Sequence, residues 1–372
     1  MKVKFYTPVR EYHEKKSEFD SAVLAVMEKG EFILGEEVLQ LEKRVEEFTG
    51  AKYAIGVASG SDALTITADI LGFKNGKEII TSPFTFFASV SCITRNGAKP
   101  VFVDIDEDTF NIDTGAIEEK ITENTVGILP IHLFSQMANM DKIMEVSKKY
   151  NLKVLEDAAE AYGMRWTGDG EFARHSGTIG DFGIFSFFPT KTLGAYGDGG
   201  MIVTNSENLY NIAKSYRVHG ATKKYHHKYV GYNSRLHTMQ AAILLVKMKY
   251  IQESIEKRAI IAKWYDERLS NVESIKIPKI KFNQQPAFYV YNILSEKRDE
   301  LASYLKENGV QTSIYYPRPL HLQECFQDLG YKKGDFPVAE KISQQILALP
   351  IFPQITENEV NYVCECIKKF YK

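Results

Sequence analysis

A chain of 372 residues, 44% hydrophobic and 25% charged, exceeds one small domain and has the apolar content for a large domain plus a smaller one. Its formal net charge of −2 excludes a field that would draw the whole molecule to nucleic acid or a membrane surface. No apolar run approaches the ~20 residues of a membrane span, and "MKVKFYTPVREYHEKK" at the start turns charged too soon for a secretory signal, so the cytoplasm is the expected location.

Seven short apolar or β-branched runs occur in chain order: "YAIGVA" (Tyr53–Ala58), "KEIITS" (Lys77–Ser82), "KPVFVDI" (Lys99–Ile105), "TVGILPIHLF" (Thr125–Phe134), "LKVLED" (Leu152–Asp157), "FGIFSFF" (Phe182–Phe188) and "GGMIVTN" (Gly199–Asn205). Several are apolar throughout, as strands buried on both faces are. Helix-like segments separate many of them: "SDALTITADILG", "TFFASVSCITRNG" and "MDKIMEVSKKYN", each closed by Asn or Gly. Alternating β and α units predict an α/β fold with a mostly parallel sheet between helices.

From Thr238 the pattern becomes one long helical stretch, "TMQAAILLVKMKYIQESIEKRAIIAKWYDERLSN". Beyond it "AFYVYNILS", "RDELASYLKENGV" and "QTSIYYPRPL" predict a smaller α+β domain. The expected boundary lies near Lys249, dividing a large domain (1–249) from a small one (250–372). Cys92, Cys325, Cys364 and Cys366 form neither a disulfide nor a zinc pattern, and no metal site is expected.

Ligands of open α/β sheets gather at the carboxyl ends of strands. After the first run come Ser59, Gly60 and Ser61, where a glycine turn and a helix N-terminus suit a phosphate, or a serine simply caps the helix. The fifth ends in Glu156 and Asp157, with Glu160 just beyond; a carboxylate there is a metal ligand, a salt-bridge partner or a partner for a protonated ring nitrogen. After the sixth comes Lys191, preceded by Ser186 and Thr190 and followed by glycines. A lysine in a pocket at a strand end becomes a nucleophile toward aldehydes when neutralised. Phosphate site, ring-facing carboxylate and such a lysine are together the parts of a pyridoxal phosphate enzyme.

In "EDAAEA", "FSFFPTKTLGAYGDGG", "GYNSRLHTMQAAIL" and "YYPRPLHLQ" the chain resembles the DegT/DnrJ/EryC1/StrS family of sugar-nucleotide aminotransferases, over nearly its whole length. The resemblance implies the fold type I aminotransferase architecture, a seven-stranded large domain plus a small C-terminal one, with pyridoxal 5′-phosphate as cofactor. Residue by residue, it implies that Lys191 is the catalytic lysine bonded to the cofactor and that Asp157 pairs with the pyridine nitrogen. Gly60, Ser61 and Ser186 then hold the phosphate, Phe86 stacks on the ring, and Glu160 lies beside the phenolic oxygen. Asn233 reaches the cofactor of a second subunit, which implies a homodimer with shared sites. Arg235, with the loop Lys223–Lys228, meets the substrate diphosphate or the loop is a solvated charge run, and His321 lines the sugar pocket or serves a structural role.

The implied reaction moves an amino group from glutamate to a nucleotide-linked keto sugar. "NSRL" followed by Gln240 resembles the branch that aminates C-3 of a 3-keto hexose, with C-4 of a 4-keto-6-deoxy hexose as the alternative. Three positions depart from the family pattern: His237 where Asp is usual, Tyr162 where His is common, and Ser135 where Gly is usual. The stretch "MRWTGDGEFARHSGTIGD" also reads as longer than usual, with Trp166 expected over the site. Dehydration on the same cofactor is disfavoured, since Lys191 is present and no cysteine cluster exists. A DNA-binding regulator is disfavoured by the near-neutral charge.

Overall fold

The computed structural model describes residues 1–167, 173–281 and 284–372. All seven expected runs form strands of one sheet, in the order Tyr53–Val57, Gly200–Thr204, Phe182–Ser186, Lys153–Asp157, Thr125–Ile128, Glu78–Thr81, Lys99–Phe102. Gly200–Thr204 runs antiparallel to both neighbours, and the remaining pairs are parallel. The apolar runs are continuous because helices cover both faces of the sheet. Phe182 and Ile184 enter the core on one face, and Phe185 and Phe187 enter it on the other. The fourth run is shorter as a strand than its apolar length, ending at Ile128; Pro130, without an N–H, cannot continue the ladder as donor.

Helices Gly60–Ile70, Phe87–Arg95 and Met140–Tyr150 connect these strands. Asn139 caps the last by accepting from the Lys142 N–H, and Asn151 closes it in the left-handed conformation at φ 53°. At Asn96 the left-handed turn falls instead on Gly97, at φ 82°.

The expected single long helix is two: Thr238–Met248 and Ile251–Leu269. At the break, the N–H groups of Lys249 and Tyr250 donate to Val246 and Lys247, three residues back. The Lys249 Nζ and Tyr250 Oη both bind Glu18, at 2.8 and 2.5 Å. These contacts come from a distant helix, so helical periodicity does not reveal them.

A second sheet, antiparallel, joins Ile275–Lys276, Tyr291–Ser295 and Ile346–Leu349. Tyr265, Ile293, Leu305 and Val363 pack between it and the helices Ile251–Leu269, Arg298–Glu307 and Glu357–Phe370. The chain's first residues cross to this region, where Val3 pairs with Val310. Cys92, Cys364 and Cys366 are buried and Cys325 is exposed, all as free thiols. Among the described residues no helix is long and apolar enough to cross a membrane.

Candidate active site

Parallel strands end on the same side, so the residues at and just beyond those ends converge on a single cavity of about 620 Å³. Gly60, Ser61, Phe86, Asp157, Glu160, Ser186 and Lys191 all line it. Its volume is that of a site for a cofactor-sized ligand.

Asp157 and Ser186 are the last residues of their strands. Side chains alternate along a strand, so Asp157 faces the cavity while Glu156 points to the opposite face. There Glu156 is a structural anchor, fully buried, accepting from the N–H groups of Gly177, Ile179 and Gly180 and lying 2.8 Å from His132 Nε2. The Ala138 N–H donates to His132 Nδ1, which leaves the Nε2 proton for Glu156.

Asp157 accepts from Ser89 Oγ at 2.7 Å and from the Ala159 N–H at 3.1 Å. Burial raises its pKa above the ordinary carboxylate value, and Ser89, Ala159 and the nearby Lys191 charge oppose that rise only in part. A cationic partner in the cavity would hold it ionised.

Lys191 sits in a turn in which its N–H donates to Phe188 O. Its Nζ lies 3.1 Å from Glu160 Oε1 and 4.3 Å from the centre of the Tyr289 ring. Burial favours the neutral amine, but Glu160 and Tyr289 outweigh it and hold the pKa above the ordinary lysine value. Glu160 also accepts from Tyr316 Oη at 3.2 Å and from the Phe134 N–H at 3.2 Å.

The third wall is the N-terminus of helix Gly60–Ile70. Ser59 caps it by accepting from the Asp62 N–H, and the first amides of a helix have no partner within it. A Cβ at Gly60 would come within 2.8 Å of Ser186 Cβ, so glycine is what lets the turn lie against the serine. Phe86, 56% exposed, leans over the opening with its ring 6.2 Å from Tyr316.

Other sequence expectations fall outside this cavity. Arg235 lines an adjoining one of about 430 Å³ with His237, sharing Ser59 and Asp198 with the first. Asn233 is exposed on the surface of the chain. His321 is 1% exposed, bonded to Glu340 at 3.1 Å and packed against Phe336, so within one chain it is a buried packing residue and does not line the cavity. Trp166 does not extend over the site either: it is buried, and its Nε1 donates to Asp141 at 2.8 Å. Residues 168–172 of that stretch lie outside the described residues. Tyr162 and Ser135 are buried away from the cavity, bonded to Met248 Sδ and Val290 O.

Sequence reasoning missed Ser89, Tyr289 and Tyr316. Ser89 lies three positions after Phe86 at the start of helix Phe87–Arg95, a spacing that puts both on one side. Tyr316 is part of the "YYPRPL" motif, whereas nothing local marks Tyr289.

The sequence pattern of the DegT/DnrJ/EryC1/StrS aminotransferase family matches residues 13–368. A Geobacillus stearothermophilus protein named as a pleiotropic regulatory protein is 45% identical over 364 residues, 97% of this chain and 96% of its own. The UDP-2-acetamido-2-deoxy-3-oxo-D-glucuronate aminotransferase of Pseudomonas aeruginosa is 38% identical over 352 residues, 95% of this chain and 96% of its own. The crystal structure of S. venezuelae DesV in complex with a ketimine intermediate is 33% identical, with a TM-score of 0.96 over 100% of this chain and 99% of DesV. With its lysine, carboxylates and glycine turn set at the strand ends of one mostly parallel sheet, and with a family match over residues 13–368 and relatives over 95% or more of it, the chain belongs to the DegT/DnrJ/EryC1/StrS aminotransferase family.

Proposed function

We propose that this aminotransferase moves the amino group of glutamate to C-3 of a nucleotide-linked keto hexose, with Lys191 carrying the proton. The enzyme depends on pyridoxal 5′-phosphate, which when bound supplies an electron sink for the carbon that loses its proton. The residues present fit that group. The Ser59–Ser61 turn and Ser186, brought against each other by the glycine at position 60, would hold its phosphate. Asp157, buried and short of a cationic partner, would hold the ring nitrogen, and Phe86 would cover one ring face.

The chain's own groups divide the remaining work. Glu160, 3.1 Å from Lys191 Nζ, orients the lysine and favours its ammonium form, and the amine must lose that proton to act as nucleophile or base. Tyr316 and the Phe134 N–H keep Glu160 in place. Ile314, Tyr315 and Tyr316 wall the cavity from the C-terminal part of the chain. Asn233 would complete the site of a second subunit, and Arg235 would meet the substrate diphosphate from the adjoining cavity.

The carrying observation is that Lys191, Glu160 and Asp157 converge on one cavity beside the glycine turn. The choice of C-3 is supported by the run Asn233–Leu236 with Gln240 and by the 3-oxo sugar in the Pseudomonas relative's name. Incubating the holoenzyme and glutamate with a 3-keto and a 4-keto-6-deoxy sugar nucleotide, then locating the new C–N bond by NMR, is the test. Amination at C-3 is expected, and amination only at C-4 overturns the regiochemistry.

A further inference from the structure

A second cavity, about 20 Å³, touches Lys191 from the side of the N-terminal segment. It has room for one small occupant, since a water needs roughly 10–15 Å³ by this measure. Tyr6, Glu11, Thr192, Lys247 and Arg258 line it together with Lys191. Its charges do not balance.

Arg258 is 2% exposed, and its Nη1 donates to the carbonyls of Phe288, Tyr289 and Ile351 at 3.1, 3.3 and 3.1 Å. Its Nε has no hydrogen-bond partner among the described residues. Glu11, the carboxylate of this cavity, is already bonded to Lys247 Nζ at 2.8 Å, and Lys191 is bonded to Glu160. Two buried cations, Lys247 and Arg258, therefore share one carboxylate, and one positive charge is in excess. The Thr192 hydroxyl, also buried here, has no partner among the described residues. A buried charge and its unmet donors are costly to leave so.

A water molecule would satisfy the donors and leave the charge. An anion does both, accepting from the guanidinium Nε–H and from the threonine hydroxyl. We propose that this cavity binds one halide-sized inorganic anion, chloride under ordinary conditions, beside the lysine-bearing turn. The site is separate from the cofactor phosphate cradle and does not rest on the identity of the sugar.

Bromide is the probe. Crystals of the holoenzyme grown in sodium bromide and measured at the bromine edge are expected to show an anomalous peak in this cavity. In solution, the thermal midpoint of the holoenzyme is expected to rise saturably with sodium chloride relative to sodium gluconate of equal ionic strength. Thr192→Val should weaken that halide dependence about tenfold, the scale of one lost bond to a charged partner. Arg258→Met should abolish it; where that variant does not fold, Thr192→Val and the diffraction still decide. Water density without an anomalous signal, bromide only at surface positions, or equal midpoints in the two salts overturns the proposal.

Discussion

At Asp157 two opposing influences meet in one carboxyl group. Burial pushes its pKa up, and the Ser89 hydroxyl is the first of the groups that pull it back. Ser89→Ala removes a 2.7 Å bond and leaves the rise less opposed. If the ionised form holds a protonated ring nitrogen, the acid limb of the kcat/KM profile should move to higher pH in this variant. At neutral pH the loss should be about tenfold, the worth of one hydrogen bond to a charged acceptor. A pH–rate profile with its acid limb unmoved removes Ser89 from the tuning of Asp157. Glu156, one residue earlier, faces away from the cavity and is filled by three backbone N–H groups and His132.

Among the elements, the N-terminal segment ties distant parts together. The Tyr6 hydroxyl donates to Pro189 O at 2.6 Å, two residues before Lys191, and the Val3 N–H donates to Gly309 O at 2.9 Å. Tyr6 thus connects the lysine turn to the region of the second sheet, as a positioning residue that does not enter the cofactor cavity. Tyr6→Phe should lower stability by about 1 kcal/mol. It should also lower kcat severalfold with cofactor content unchanged, because small misplacements of a reacting amine are costly. Urea melts and cofactor titration beside steady-state kinetics separate the two effects; a stability loss with normal kcat makes Tyr6 structural only.

For the whole molecule, Arg10 on the first helix grips Glu359 on the last through bonds of 2.7 and 2.5 Å. The Arg10 guanidinium, against some burial and with help from the Thr356 cap, holds the Glu359 pKa down at about 2. A carboxylate with a depressed folded pKa adds stability that is present above its ordinary value and lost as pH falls toward the folded one. That window runs from about 4.5 down to about 2. Arg10 is 41% exposed, so solvent screening reduces the contribution to about 1–2 kcal/mol. Glu359→Gln should be less stable than the parent at neutral pH by this amount, with the difference vanishing in strong acid; a pH-independent difference in urea midpoints contradicts it.

A dimer with shared sites makes a sharper prediction at the same scale. Lys191→Ala should be inactive, and Asn233→Asp should bind the cofactor weakly because it sets a carboxylate beside a phosphate. If Asn233 serves the partner's site, refolding the two variants together should restore activity in mixed dimers, since one of their two sites keeps both residues. Restoration to about a quarter of the parent's activity is expected from random pairing. No restoration above the sum of the separate variants contradicts the shared site.

The sequence by itself determined the seven strands of the large sheet, since apolar runs flanked by caps and glycines are local signals. It also determined which residues stand at strand ends, and parallel topology brings those ends together. Lys191, Asp157, Ser186 and the Ser59–Ser61 turn were legible for that reason. Tertiary structure alone decided the rest. Ser89 meets Asp157 across 68 residues of sequence and Tyr316 meets Glu160 across 156, separations at which no periodicity speaks. The helix break at Lys249 coincides with bonds from Lys249 and Tyr250 to Glu18 on another helix, and His321 and Trp166 found partners in Glu340 and Asp141 away from the cavity. Local propensity fixes where an element begins and ends, whereas the side a polar group serves is set by whichever distant partner satisfies it on burial.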